Sequence, residues 1–178
     1  MGRRLNEDQY TKIFEKSLNR RGWKFSPSSV EEDMFDHIDG RIHIYDKGTP
    51  VRTLTVDLKG HKFRSKHSKT LCQYIEFMNV RGQKGWLYGK ADVIAILSED
   101  EKTFYLIFRK DLIRFCQDLF GVNGLENFDG VEDRLLKLKC WVNRPDAATH
   151  KLYRRKRLKD IVTQITMKDV KELAKIKI

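Results

Sequence analysis

The chain has 178 residues, of which 36 are Lys or Arg and 25 are Asp or Glu, so its formal net charge is +11. An apolar content of 40% with only 3 prolines predicts a folded protein and excludes a disordered or low-complexity chain. The longest apolar run, residues 91–97, is too short to span a bilayer, and the first residues do not form a signal-peptide core. We therefore expect a cytoplasmic protein without a membrane partner, and the charge favours nucleic acid as a polyanionic partner.

The first elements in chain order are a helix and a short strand. Apolar residues recur at helical spacing over about 7–21, with Asn6 as a candidate N-cap and Gly22 as a candidate helix stop. A short strand is expected at 23–25, followed by turn residues and by an acidic stretch over 31–39.

Two segments of alternating residues then predict a β-hairpin. Apolar and polar residues alternate in 41–45 and again in 53–59, and a loop of about five residues, 46–50, separates them. One face of each strand is apolar, so the hairpin is expected to be anchored in the core.

The middle of the chain predicts alternating helices and strands. Apolar spacing indicates a short helix over 71–78, and residues 91–97 form a candidate buried strand with 103–108 as its antiparallel neighbour. A helix over 111–120 follows, for which Asp111 is the candidate N-cap.

The last part of the chain is less regular. A strand is predicted over 135–142, a basic segment over 150–159 and a helical tail from Asp160 onward. No internal repeat or linker divides the sequence, so we expect one α/β domain over residues 1–178.

The hairpin also predicts which side chains face each other across its strands. With the loop centred on Gly48, opposed residues have numbers that sum to 96, so Asp39 faces Asp57. Alternation places Lys59 on the same face as Asp57, while their apolar neighbours point into the core. Two carboxylates and a lysine would therefore converge, and Asp36 is the alternative to Asp39 if a β-bulge shifts the register.

The predicted acid pair calls for a cation, because two carboxylates at short range repel each other. Mg²⁺ takes hard oxygen ligands, usually one or two carboxylates together with water and a phosphate oxygen. A lysine on the same face adds positive charge that stabilises a phosphoryl transition state or orients the attacking water. This combination is typical of metal-dependent phosphodiester hydrolysis.

The spacing of these residues resembles the PD-(D/E)XK nuclease superfamily. Asp39 precedes the run Asp57-Leu58-Lys59 by about eighteen positions, and the element order over about 7–97 is similar to that family's αβββαβ core. The resemblance implies a restriction-endonuclease-like α/β fold, in which helices flank a central mixed sheet and further elements are added at the C-terminus. The nuclease core would cover about 7–120 and the C-terminal extension about 128–178.

The resemblance also implies roles for the site residues. Asp39, Asp57 and the backbone carbonyl of Leu58 would be ligands of Mg²⁺, for which Mn²⁺ is expected to substitute. Lys59 would be the catalytic lysine. Many members add a glutamate from the first helix, and Glu15 is the candidate here, with a solvated helix charge as the alternative.

Other positions depart from the family pattern or extend it. Ile38 stands where the family signature has a proline. Gln73 and Glu76 are candidates for the residue that sometimes assists after the lysine. Phe77 occupies the tyrosine position of the Gln-x-x-x-Tyr pattern, so the RecB-like branch of the family is not matched.

Three basic segments are predicted to contact nucleic acid, because cations beside an acidic metal site can bind phosphates. The alternative for each segment is a solvated surface. The candidate residues are Lys62, Arg64, Lys66, Lys69, Arg81, Lys84, Arg154, Arg155, Lys156 and Arg157. Tyr153 is a candidate for stacking on a base, whereas Trp86 and Leu87 are expected to enter the core.

The residues and the resemblance together predict a Mg²⁺-dependent DNA endonuclease of recombination, repair or phage DNA processing. The family includes phage and bacterial endonucleases and Holliday junction resolvases. That membership implies DNA, including branched DNA, as the partner, a homodimer by analogy with resolvases, and the host cytoplasm for a phage-encoded protein. The alternatives are a non-catalytic nucleic-acid-binding protein that retains the nuclease fold and an RNA-associated structural protein.

Overall fold

The computed structural model of the protein describes residues 5–60, 62–63, 70–143, 150–155 and 157–178. The chain forms two units that alternate along the sequence. The first comprises Met1–His61, Lys90–Phe108 and Ala174–Ile178, and the second comprises Lys62–Gly89 and Arg109–Leu173. The expected core and C-terminal extension follow different boundaries, and a single nuclease domain stays a prediction.

The described residues form four α-helices and nine strands. The helices are α1 (Glu7–Asn19), α2 (Arg109–Phe120), α3 (Val131–Leu136) and α4 (Met167–Leu173). The strands are β1 (Lys24–Pro27), β2 (Gly40–Asp46), β3 (Thr49–Lys59), β4 (Lys62–Phe63), β5 (Leu71–Met78), β6 (Val93–Leu97), β7 (Phe104–Phe108), β8 (Ile161–Thr166) and β9 (Ile176–Lys177). A π-helical turn spans Glu32–Asp36 and a 3₁₀ turn spans Trp86–Tyr88. The expected α/β class is confirmed at this level.

The first unit is built on a mixed six-stranded sheet in the order β1-β2-β3-β6-β7-β9. Strands β3 and β6 are parallel, and every other neighbouring pair is antiparallel. Helix α1 packs on this sheet through Phe14 and Leu18, which are fully buried with Ile42 and Val56. The ring of Phe14 meets that of Phe104 edge to face at 5.0 Å between centroids. The core thus holds the central strands in place beneath α1.

The start of α1 is confirmed as predicted. The Asn6 side chain accepts a hydrogen bond from the Gln9 backbone, and the Gln9 side chain accepts one from the Asn6 backbone. This reciprocal capping box satisfies two amide groups that a helix N-terminus otherwise leaves without a partner.

The hairpin of β2 and β3 has the predicted register over its inner part. Gly40 pairs with Val56 and Ile44 pairs with Arg52, so opposed residue numbers sum to 96. A β-bulge just after Ile44 shifts the register toward the turn. The expected five-residue loop is wrong, because a two-residue turn, Lys47–Gly48, closes the hairpin with φ values of 48° and 85°.

The second unit contains an antiparallel three-stranded sheet in the order β4-β5-β8. The predicted helix over 71–78 is wrong, because this segment is β5, the central strand of that sheet. Gln73, Ile75 and Phe77 are buried at every second position, and pairing on both edges favours the strand. Between β3 and β6 the chain therefore forms β4 and β5, where the αβββαβ order expected a helix.

Three further predictions about the second unit are wrong. The segment predicted as a strand over 135–142 includes the end of α3, in which Val131 and Leu135 are buried one turn apart. The predicted helical tail begins with β8, whose β-branched residues pair with β5, and only then forms α4. Helix α2 begins at Arg109, so Asp111 lies in its first turn and is not the N-cap.

Other predicted elements are confirmed. The buried strand and its antiparallel neighbour are β6 and β7. Trp86 and Leu87 are buried, as expected for residues that enter the core. Within the part of the chain that the structure describes, no helix is both long enough and apolar enough to cross a membrane.

Candidate active site

Strand β3 carries a buried carboxylate beside a lysine in the middle of the larger sheet. The Asp57 side chain is only 1% exposed, and its Oδ1 lies 2.5 Å from Nζ of Lys59. Leu58 is buried in the apolar core on the opposite face of the strand, as the alternation of side chains requires. The core thus fixes the strand while Asp57 and Lys59 share its other face.

Asp39 lies immediately before β2 and reaches across to the same part of β3. Its backbone N–H donates to the carbonyl of Val56 at 2.8 Å. Its Oδ2 accepts a hydrogen bond from the backbone N–H of Leu58 at 2.5 Å. The carboxyl groups of Asp39 and Asp57 interact electrostatically, since each influences the pKa of the other. The structure therefore brings together the two acids and the lysine that the hairpin register predicts.

Burial dominates the electrostatics of this acid pair. Removal from water raises the pKa of Asp57 to about 7; the Lys59 ammonium opposes this shift and the Asp39 carboxylate adds to it. Burial also raises the pKa of Asp39, against the hydrogen bond from Leu58 and the charge of Lys59. Among the described residues, Oδ2 of Asp57 has no hydrogen-bond partner. Only a shared proton or a cation can link two such carboxylates without repulsion.

A cavity of about 360 Å³ lies next to Asp39 in the first unit. Glu15 of α1 lines this cavity together with Asp39, and its role at a metal stays a prediction. Asp8 and Asp33 also line it, and the sequence analysis missed both. The available signal for Asp8 was its position seven residues before Glu15, two turns away on one helix face.

The segment before Asp39 is held by two ion pairs. Oε1 of Glu32 contacts Nη2 of Arg41 at 2.5 Å, and Oδ1 of Asp36 contacts Nζ of Lys90 at 2.9 Å. The backbone carbonyl of Asp36 also accepts a bond from the Lys90 N–H at 2.7 Å. Asp36 therefore pairs with Lys90. Asp39, and not Asp36, is the acid that bonds to β3 beside Asp57.

His37 is a third residue near the site that was not predicted from the sequence. It adopts a left-handed conformation with φ of 53° at the end of the π-helical turn. Burial, and then the charge of Lys59, lower the pKa of His37. Its only sequence signal was its position two residues before Asp39.

Asp39 and Asp57 are the two side chains of this site that could hold a metal ion. Within the described residues, no group of three or more His, Cys, Asp or Glu side chains is placed to hold a metal ion. Mg²⁺ commonly takes one or two carboxylates and completes its shell with water and substrate oxygens. The buried Oδ2 of Asp57, which has no hydrogen-bond partner among the described residues, is the atom that such an ion could contact.

Some of the cations predicted to bind nucleic acid are exposed on the second unit. Arg81 and Lys84 are exposed, and the backbone N–H of Lys159 donates to the carbonyl of Val80 at 3.3 Å. The basic segment that contains Arg81 and Lys84 therefore meets the basic segment 150–159 at this point. Arg157, which is exposed, lies in the latter segment. Arg64, Lys66, Lys69 and Lys156 lie outside the described residues.

Other predicted contacts have partners within the protein. Arg154 pairs with Glu132 at 2.7 Å, and Arg155 pairs with the fully buried Asp160 at 2.6 Å. Tyr153 is only 3% exposed, so the prediction that it stacks on a base is wrong.

Gln73 and Glu76, the candidates for an assisting residue, lie on β5 of the second unit and not on a helix. Gln73 is buried, and its Nε2 donates to the carbonyl of Tyr74 at 3.1 Å. The helix position that the family resemblance assigns to such a residue is therefore absent from this segment.

No protein-family model, curated protein or solved structure matches the chain. The nuclease resemblance thus stays an interpretation of the residues and their arrangement.

Proposed function

We propose that the protein is a metal-dependent endonuclease that hydrolyses phosphodiester bonds in DNA, with a restriction-endonuclease-like core in its first unit. The observation that carries this proposal is the carboxylate of Asp57, buried beside Asp39 and Lys59 with one oxygen that lacks a donor among the described residues. The order α1-β1-β2-β3 and the parallel pairing of β3 with β6 agree with such a core.

A purely structural role explains this arrangement poorly. An exposed salt bridge contributes little and tolerates water, but Asp57 is 1% exposed. Burial of two adjacent acids costs free energy that a pair of apolar side chains would not cost. Perturbed carboxylates of this kind occur preferentially at functional sites, where a ligand compensates for the cost.

The residues present would hold Mg²⁺ through the carboxylates of Asp39 and Asp57 and the backbone carbonyl of Leu58, with Mn²⁺ as a substitute. When bound, the ion supplies positive charge that lowers the pKa of a water molecule and neutralises charge on the phosphate. Lys59 is 23% exposed and can turn its ammonium toward a phosphate oxygen. Glu15 would approach the same region from α1.

The proposal is tested with supercoiled plasmid, linear duplex and four-way-junction DNA, each incubated with Mg²⁺, Mn²⁺ or a chelator. We expect cleavage that depends on the metal and is lost in Asp57→Asn. The matched control is Asp46→Asn, which removes an exposed carboxylate from the end of β2 in the same unit. Cleavage that persists in Asp57→Asn, or that does not occur with any metal and substrate, would overturn the proposal.

A second candidate is a non-catalytic nucleic-acid-binding protein. It is favoured by the exposed cations of the second unit, and also because no group of three or more His, Cys, Asp or Glu side chains among the described residues is placed to hold a metal ion. In that case the protein binds nucleic acid, Mg²⁺ leaves the products unchanged, and Asp57→Asn binds as the parent does. Preference for RNA over DNA in the same assay would indicate the RNA-associated class.

A further inference from the structure

One face of the smaller sheet combines an aromatic ring with a cation. Lys62 on β4 pairs with Cys72, which is two residues before Tyr74 on β5, so Lys62 and Tyr74 share a face. Tyr153 joins this face, because it pairs with Val162, two residues from the β8 partner of Tyr74. The register therefore gathers one lysine and two tyrosines on the same side.

The ring of Tyr74 is fixed in position on this face. Nζ of Lys62 lies 5.4 Å from the ring centroid. The Tyr153 ring meets Tyr74 edge to face at 6.2 Å and 83°. Burial raises the pKa of Tyr153, and a hydrogen bond between the two phenol groups adds to the shift. Tyr153 is thus a buried support for Tyr74, which stays partly exposed.

Further cations lie where the same ladder ends. Beyond the last β5–β8 pair, the N–H of Lys159 bonds to the carbonyl of Val80, and Arg81 and Arg157 are exposed nearby in sequence. Strand β5 continues from Cys72, the partner of Lys62, to Met78, which corresponds to about 20 Å of extended strand. An aromatic ring with a neighbouring cation is a combination that binds single-stranded nucleic acid.

We propose that this face of the β4-β5-β8 sheet binds an unpaired segment of nucleic acid, with a base stacked on Tyr74. A phosphate next to this base would contact Lys62, and the bound strand would continue toward the exposed residues Arg81 and Lys159, which follow the end of β5. The ring must reach the flat face of a base, which a continuous duplex keeps covered by its neighbours. The contact of Lys62 with Tyr74 is a weak exposed cation–π interaction, so a base can replace the ammonium, which then turns toward a phosphate.

This inference rests on the proposed function only in that the ligand is nucleic acid; it does not require cleavage. It adds a substrate class, nucleic acid with an unpaired segment, to a site in the second unit. A failure of cleavage and a failure of this contact are therefore separate results.

The test measures binding without cleavage. Fluorescence anisotropy with a labelled single-stranded oligonucleotide and the matching duplex is recorded in chelator, using the Asp57→Asn chain as the parent. Tyr74→Leu removes the ring, and Tyr74→Phe keeps the ring but loses the hydroxyl bonded to Tyr153. Lys62→Gln removes the nearby charge, and Lys168→Gln, an exposed lysine on α4, is the matched control.

We expect the parent to bind the single strand more tightly than the duplex. Tyr74→Leu should weaken single-strand binding by about ten-fold, as removal of a stacked aromatic does elsewhere, whereas Tyr74→Phe binds as the parent. Lys62→Gln should reduce both the affinity and its dependence on salt, and Lys168→Gln should change neither. Glu76→Gln, which removes a carboxylate from the same face, should tighten binding.

Several results would overturn the inference. Equal single-strand affinity in Tyr74→Leu and the parent would exclude stacking on Tyr74. An equal loss in Tyr74→Phe and Tyr74→Leu would show that the phenol bond to Tyr153 supports the fold and that the ring does not bind a base. Circular dichroism of each variant shows whether it is folded. If Tyr74→Leu is unfolded, the binding of Lys62→Gln tests the inference instead, and an affinity equal to that of the parent would overturn it.

Discussion

Asp57 and Lys59 lie two residues apart on β3, with Oδ1 of the acid 2.5 Å from Nζ of the lysine. The other carboxylate oxygen, Oδ2, is buried and has no hydrogen-bond partner among the described residues. Oδ1 of Asp57 is thus paired with the Lys59 ammonium, whereas Oδ2 has no such partner among the described residues. In the proposed function, Oδ2 is the oxygen that would contact the metal ion.

Lys59 is expected to contribute to cleavage rather than to folding. Lys59→Met removes the charge that would stabilise the phosphate in the transition state, so the cleavage rate should fall by about 10²–10³-fold. The matched control is Lys90→Met, which breaks the more exposed ion pair with Asp36 in the same unit. A Lys59→Met protein that cleaves at the parent rate would show that the lysine has no catalytic part.

The stability of the protein should depend on pH through Asp57. The folded state raises the pKa of Asp57 from 3.8 to about 7, so it binds this proton more tightly than the unfolded chain does. The associated stability is present below about pH 4 and is lost as the pH rises through 7. Asp57→Asn should therefore stabilise the protein increasingly from pH 5 to pH 8 in chelator, by at most about 4 kcal/mol.

Chemical denaturation at several pH values measures this difference in the free energy of unfolding. Asp46→Asn, at the exposed end of β2, provides the reference for a solvated acid. Added Mg²⁺ should stabilise the parent and not Asp57→Asn, because only the parent retains the complete acid pair. An Asp57→Asn protein that is less stable than the parent at pH 8 in chelator would show that the ion pair is structural.

Glu15 should affect the metal requirement more than the maximum rate. It lines the same cavity as Asp39, but it is exposed on α1. Glu15→Gln should raise the Mg²⁺ concentration needed for half-maximal cleavage by about ten-fold. Glu31→Gln changes an exposed carboxylate that does not line this cavity and should have no such effect. The same metal dependence in Glu15→Gln and the parent would exclude Glu15 from the site.

Arg155 should prove to be primarily a structural residue. Its Nε lies 2.6 Å from the buried Oδ2 of Asp160. Asp160→Ala should lower the free energy of unfolding by about 2–3 kcal/mol, less than for a fully buried pair because Arg155 is half-exposed. Glu172→Ala, which breaks an exposed pair with Lys168 on α4, should cost less than about 1 kcal/mol in the same urea titration. Equal stability of Asp160→Ala and the parent would contradict this assignment.

The sequence predicted the acid pair because local patterns define it. The alternation around Ile42 and Leu54 sets the register of one hairpin, and that register fixes the positions of Asp39 and Asp57. Hairpin partners are close in sequence, so no distant information is needed.

The sequence did not predict β5, because its apolar residues also fit helical spacing. The decisive partner of β5 is β8, which begins at Ile161, more than eighty residues after Met78. Asp33 and His37 were missed for a similar reason. The π-helical turn that brings them near Asp39 is fixed by ion pairs to Arg41 and Lys90, and no periodic pattern signals it.

The measurement that tests the central claim most directly is the rate at which the purified protein nicks supercoiled plasmid at saturating Mg²⁺, compared with Asp57→Asn under the same conditions. We predict metal-dependent nicking by the parent, which a chelator stops and which Asp57→Asn lacks while remaining folded. Equal nicking by the two proteins, or none by the parent with either Mg²⁺ or Mn²⁺, would contradict a metal-dependent nuclease centred on Asp57.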